Sequence, residues 1–173
     1  MRNKTSRLTS LALTVSFALI LSFIESKIPA FVAIPGVKVG LANIAVIFTL
    51  YKFGVKEAII VSSIRVILMA MLFGNPQSFW FSLSGAVLSL TVMILLKKLL
   101  RSPEVVVSVA GGITHNIGQI IAASIIMGTN VVTYYLPFLL LSGTIAGVVV
   151  GIASATLIKK VDLSKIMKTS RRR

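Results

Sequence analysis

The sequence predicts an all-α, polytopic membrane protein, a bundle of six helices with both termini in the cytoplasm. Three observations carry this. The chain is 56% hydrophobic, only 13% charged, and has a mean hydropathy of +0.98, too little charge to cover a soluble domain. Its apolar residues fall into long runs, and a helix that crosses the hydrocarbon core needs roughly 20 of them. Its net charge is +14, but the cations cluster between the runs. Such clustering reports membrane topology and contact with lipid, and no nucleic-acid partner is expected. At 173 residues the chain suits a single integral membrane domain, 1–173. With no cysteine, disulfides, thiolate metal sites and a cysteine nucleophile are excluded.

The spans are read at roughly 8–25, 39–53, 56–73, 79–99, 105–128 and 132–158, with a basic tail over 159–173. The first opens with Arg2, Lys4 and Arg7 like a secretory leader. Its apolar stretch is longer than a leader's core and no small-residue cleavage site follows, so a retained helix is expected. The second span is short. It follows IPAFVAIPGVKVG, whose prolines and glycines break helices, and this stretch is expected to be a partly re-entrant loop or short capping element. The third carries Arg65 in mid-run. The fourth ends in Lys97, Lys98 and Arg101. The fifth contains GGITHNIGQII. The sixth repeats small residues every four positions, Gly143, Gly147, Gly151 and Ala155, a pattern for close helix contact.

Placing the N-terminus inside puts fifteen Lys and Arg residues on the cytoplasmic side, with only Lys27 and Lys38 outside and Arg65 within a span. This asymmetry orients the bundle and supports an even number of spans. The basic tail then reads as a topology anchor.

Polar residues at membrane depth are the candidate functional groups. Arg65 and His115 both fall near the middle of their spans. Arg65 suits a solute contact, capture by helix-end carbonyls, or a gating contact. His115 and Gln119 are four apart on one helix face, with Asn116 about 100° around. They suit a binding wall or interhelical hydrogen bonds. Toward the outer side lie Lys38, Asn43, Asn75 and Trp80, also candidates to line a pocket that opens outward. Trp80, like Tyr134 and Tyr135, equally suits an interfacial aromatic belt. Glu25 suits a pairing with Lys27 or Lys38. No carboxylate is expected at the depth of Arg65, since Glu25 and Glu57 lie near opposite helix ends and Glu104 and Asp162 fall on the cytoplasmic side. The sum is a pocket for a polar or anionic solute.

Catalysis is not expected. The chain has no GxxxxGK[ST] phosphate loop. Its one aspartate, Asp162, cannot form the clusters that hold magnesium on a prenyl diphosphate. His115 has no second histidine or cysteine to complete a metal site. No catalytic residue, metal or cofactor is therefore assigned.

Three stretches, IPGVKVGLANI (34–44), SIRVILMAMLFGNPQSFWFSLSGAVLSL (63–90) and GGITHNIGQI (111–120), resemble the Gx transporter family, whose members are labelled heptaprenyl diphosphate synthase component I. That family is similar to the substrate-binding S components of energy-coupling factor (ECF) transporters. The resemblance implies a six-helix S-component fold in the plasma membrane of a bacterial-type cell. It implies a small vitamin- or cofactor-like solute bound from outside. It also implies a transmembrane coupling subunit and two ATPases as partners. S components dock through an Ala-xxx-Ala pair in the first helix, and the matching positions here are Ala12 and Ser16. The alternative is a non-catalytic membrane scaffold for a prenyl diphosphate synthase or a quinone- or flavin-linked electron-transfer system.

Overall fold

The computed structural model describes residues 2–27, 40–73 and 76–161. The regular structure among them is helical: α1 (Arg2–Lys27), α2 (Asn43–Lys52), α3 (Val55–Phe73), α4 (Pro76–Leu99), α5 (Glu104–Met127) and α6 (Leu136–Lys160), with a 3₁₀ turn at Val131–Tyr135 before α6. Four helical stretches are long and apolar enough to cross a membrane: Arg7–Lys27, Phe79–Leu99, Glu104–Met127 and Val131–Lys160. The other two helices differ for legible reasons. α3 is interrupted by Arg65 and begins with Lys56 and Glu57. α2 has 10 residues and rises about 15 Å, half the roughly 30 Å of a hydrocarbon core.

The shortness of α2 is tied to its position. Ala45 through Leu50 are all buried, as expected of a helix that is apolar all round and enclosed by protein. Val46, Ile47 and Leu50 form the main core with Ala58 of α3, Met93 of α4, Val107 of α5 and Val150 of α6. Ala45 packs with Ala18 of α1 and Val61 of α3. Thr49, fully buried, donates to the carbonyl of Ala45 at 2.7 Å, so its hydroxyl is satisfied within its own helix. The long helices turn large apolar side chains outward, among them Leu13, Ile20, Val87, Ile125 and Leu141. That is the surface expected where lipid is the solvent.

Sharp connections use the residues the geometry demands. Between α2 and α3, the N–H groups of Phe53 and Gly54 both donate to the Thr49 carbonyl, and Gly54 sits at φ +127°, a left-handed value open to glycine. Proline lies at the starts of α4 and α6 and just before α5, where a missing N–H costs nothing. The basic ends of α2, α4 and α6 carry Lys52, Lys97, Lys98, Lys159 and Lys160 in their last turns. There they complement the helix dipoles, and they mark the end of the bundle that the charge pattern of the sequence predicts to be cytoplasmic. The same end is tied laterally. The Lys97 ammonium donates to the Leu50 carbonyl and lies 5.0 Å from the Tyr51 ring centroid. The Tyr51 hydroxyl donates to the Ser102 carbonyl at 2.6 Å, and Arg7 pairs with Glu57.

Helices α4, α5 and α6 meet backbone to backbone. A Cβ on Gly112 would lie 2.6 Å from the carbonyl oxygen of Gly143, and one on Gly118 would lie 2.9 Å from the Cα of Gly85. Added to Gly147 or Gly151, it would lie 2.7 Å from the Cα of Val109 or Val105. The four-residue repeat of the sixth span is therefore the track on which α6 runs antiparallel to α5. The stretch 28–39, which includes the proposed re-entrant segment, lies outside the described residues.

Candidate functional site

A cavity of about 350 Å³ opens between the helices near the end of the bundle that the charge pattern places outside. All six helices contribute to its wall. On α1 the contributing residues are Ser22, Glu25 and Ser26, at i, i+3 and i+4 of one face. On α3 they are Arg65 and Val66, and then Met69 and Ala70 one turn on. On α5 they are Ser108, Gly112, His115 and Asn116, again a single face. Gly143, Ala146, Gly147 and Val150 of α6 line it too, with Phe79 and Ser82 of α4 and Asn43 of α2 completing the wall.

Arg65, His115, Asn116 and Asn43, all read from the sequence, thus come together on one cavity. Arg65 is partly buried and makes no hydrogen bond or ion pair with any described residue. Asn116 is buried and donates its amide to the Leu139 carbonyl of α6 at 2.6 Å. Its Nδ2 occupies space that a Cβ on Gly143 would enter at 2.7 Å, so glycine on α6 gives Asn116 its place. Asn116 is therefore both a wall residue and an interhelical tie.

Two candidates fall elsewhere. Gln119 is not on the cavity wall: its Cγ would lie 2.9 Å from a Cβ on Gly85, so it is covered by α4. Trp80 is exposed and points away, in edge contact with Phe79 at 5.3 Å between ring centroids. It is Phe79 that faces the cavity. Lys38 and Asn75 lie outside the described residues.

The sequence reading missed Glu25. Its expected pairing with Lys27 is not found. Lys27 sits over the Phe23 ring, 5.3 Å from its centroid, and Glu25 instead accepts a hydrogen bond from the Gly40 backbone N–H. Glu25 lines the same cavity as Arg65, although the two do not form an ion pair. Arg65 therefore shares its cavity with a carboxylate that comes from near the end of α1. Ser22 and Ser108 were missed too. Both are buried, both line the cavity, and neither hydroxyl has a hydrogen-bond partner. The helix-face spacing of Ser22 with Glu25, and of Ser108 with Gly112 and His115, was the signal that would have found them. Beside His115 there is no group of three or more metal-ligating side chains among the described residues.

A helical bundle with apolar side chains turned outward around an internal cavity is the architecture of a multi-pass membrane protein. The chain belongs to the family described as heptaprenyl diphosphate synthase component I, which it matches over residues 14–157. No functionally curated protein and no solved structure matches it.

Proposed function

We propose that this chain is the solute-binding membrane subunit of an uptake system in the plasma membrane. Its solute is small and polar or anionic, of the vitamin or cofactor kind. The observation that carries the reading is the cavity itself: a charged, hydrogen-bonding space enclosed by six helices, with Arg65 uncommitted on its wall. A guanidinium at membrane depth is costly and calls for acceptors, and a carboxylate or phosphate meets it at two points. His115 and Asn43 supply further hydrogen bonds from the facing helices. Energy comes from partners, a transmembrane coupling subunit and two ATPases. Ala12 and Ser16 are exposed on α1, which suits docking of a partner helix against small residues. No catalytic role is assigned to the chain, because its carboxylates are too few and too scattered to hold a diphosphate through magnesium.

The family description favours a second reading, a non-catalytic membrane scaffold for a prenyl diphosphate synthase. Purification in lipid nanodiscs followed by native mass spectrometry separates the two. Uptake predicts a small molecule bound one to one and released by Arg65→Ala. A scaffold predicts a synthase subunit as the retained species and no small molecule. Orientation is checked with single cysteines in place of Lys98 and Asn130, both exposed. Only the cysteine at 130 should react with an impermeant reagent in intact cells, and the opposite pattern would turn the cavity mouth inward.

A further inference from the structure

Two charged groups among the described residues of the cavity wall face it from different helices. Arg65 comes from α3 and Glu25 from α1. They share one cavity and do not pair with each other. Among the described lining residues they bring the formal charge to zero. A simple anion would satisfy Arg65 while adding a second negative charge beside the half-buried Glu25, and like charges in a confined site repel strongly. Around Glu25 the wall is rich in acceptors. One turn earlier on the same face stands Ser22, whose buried hydroxyl has no partner. Ser26 lies beside Glu25, and its hydroxyl proton already goes to the Phe23 carbonyl, which leaves its oxygen lone pairs to accept. The backbone N–H of Gly40 engages Glu25, holding the carboxylate with lone pairs to spare. The α1 wall therefore suits a donor with several hydrogens, and the α3 wall suits an acceptor with two oxygens.

We propose that the solute is a zwitterion, with an anionic group held by Arg65 and a protonated amine held by Glu25 and Ser22. The proposal rests on the solute-binding reading above and narrows its substrate class. A molecule of this kind cancels both partly buried charges at once and orients itself, amine toward α1 and anion toward α3. The cavity, at about 350 Å³, falls at the small end of the range for small-molecule sites.

The test uses the molecule released from the wild-type protein by organic solvent, and the same molecule after acetylation of its amine. Rebinding is followed by thermal shift in nanodiscs. The released molecule is expected to carry both an acetylatable amine and a carboxylate or phosphate. Acetylation should weaken its binding to the wild type by at least about thirtyfold. Glu25→Gln keeps the size of the side chain and an acceptor for Gly40, so it should fold. It should bind the free and acetylated forms alike, both weakly. Arg65→Gln should lose both forms. If that variant does not accumulate folded, Glu25→Gln and the acetylated molecule decide the question alone. A released molecule without an amine, or an acetylated form that binds the wild type unchanged, overturns the zwitterion while leaving solute binding intact. A wild-type protein that carries no small molecule overturns the underlying reading, and this inference with it.

Discussion

The two halves of the bundle are held together by different means. In α4–α6 the contacts run backbone to backbone through glycines. In α1–α3 they run through side chains, gathered around the buried α2. Contacts of the first kind have no slack, because a backbone atom cannot rotate out of the way. Contacts of the second kind tolerate exchange if volume is kept. The lining of the cavity divides along the same line. Arg65, Glu25 and Ser22 project from the side-chain-packed half, whereas the glycine-packed half supplies His115, Asn116 and a wall of small residues. One half is built to hold a shape and the other to present charge.

The largest expected effect tests that rigidity. Gly112→Leu forces a side chain into the carbonyl of Gly143, with even its Cβ at 2.6 Å. Overpacking of this sort costs about 1–3 kcal/mol or more, and here no flexible side chain is present to yield. The variant should fail to accumulate as folded protein, judged by size-exclusion chromatography in detergent. Gly128→Ala is the control. Gly128 has open space around it but sits at φ +61°, so only conformational strain of about 1 kcal/mol is expected. If both variants fold equally well, the α4–α6 half is not held by close approach.

The same division explains what the sequence disclosed. The apolar runs fixed the number of helices, and the glycine repeat of the sixth span pointed to a close contact without naming its partner, α5. Arg65 and His115 stood out because ionisable groups are rare inside apolar runs. Glu25 did not, since a carboxylate at the end of a span looks like an interfacial group. Its role depends on Gly40 and Arg65, which are distant in sequence. Gln119 misled for a related reason. It continues the His115 face by spacing, but α4 crosses α5 at Gly85 and Gly118 and covers that turn. Periodicity gives the face of a helix and not where a neighbour crosses it. Trp80 and Phe79 differ by one helical step, and only the contact with the rest of the bundle decides which of them looks inward.

A smaller effect is expected at the charged half. Arg65→Ala should leave the protein folded, because no described residue depends on the guanidinium for a hydrogen bond. It should weaken the solute by about 2–5 kcal/mol, read as a loss of at least about thirtyfold in affinity. Normal binding by this variant would make Arg65 structural. Smaller again is the effect on the protein itself of Ala12→Trp. The position is exposed on α1, so melting temperature and solute affinity should hold while co-purification with a coupling subunit is lost. Unchanged recovery of the partner would remove this face of α1 from the interface.

The smallest effect is expected at Ser108, and it separates a site from a packing defect. Ser108 and Ser154 are both buried serines on long helices. The Ser154 hydroxyl donates to the Val150 carbonyl at 2.7 Å, whereas that of Ser108 has no partner and faces the cavity. An unmet buried hydroxyl costs about 1–3 kcal/mol, and a net hydrogen bond contributes about 1 kcal/mol. Ser154→Ala should therefore lower the melting temperature slightly. Ser108→Ala should leave it unchanged or raise it in the solute-free protein, because alanine removes a group that solvent would have satisfied in the unfolded chain. With solute present the order should reverse, and Ser108→Ala should lose up to about tenfold in affinity. The measurement is a pair of thermal melts for each variant, with and without the released molecule. If Ser108→Ala destabilises the empty protein as Ser154→Ala does, its hydroxyl serves the packing of α5 against α6 and not the cavity. If it stabilises the empty protein and leaves affinity untouched, the floor of the cavity lies beyond the solute's reach, and recognition belongs to Arg65, Glu25 and His115 nearer the mouth.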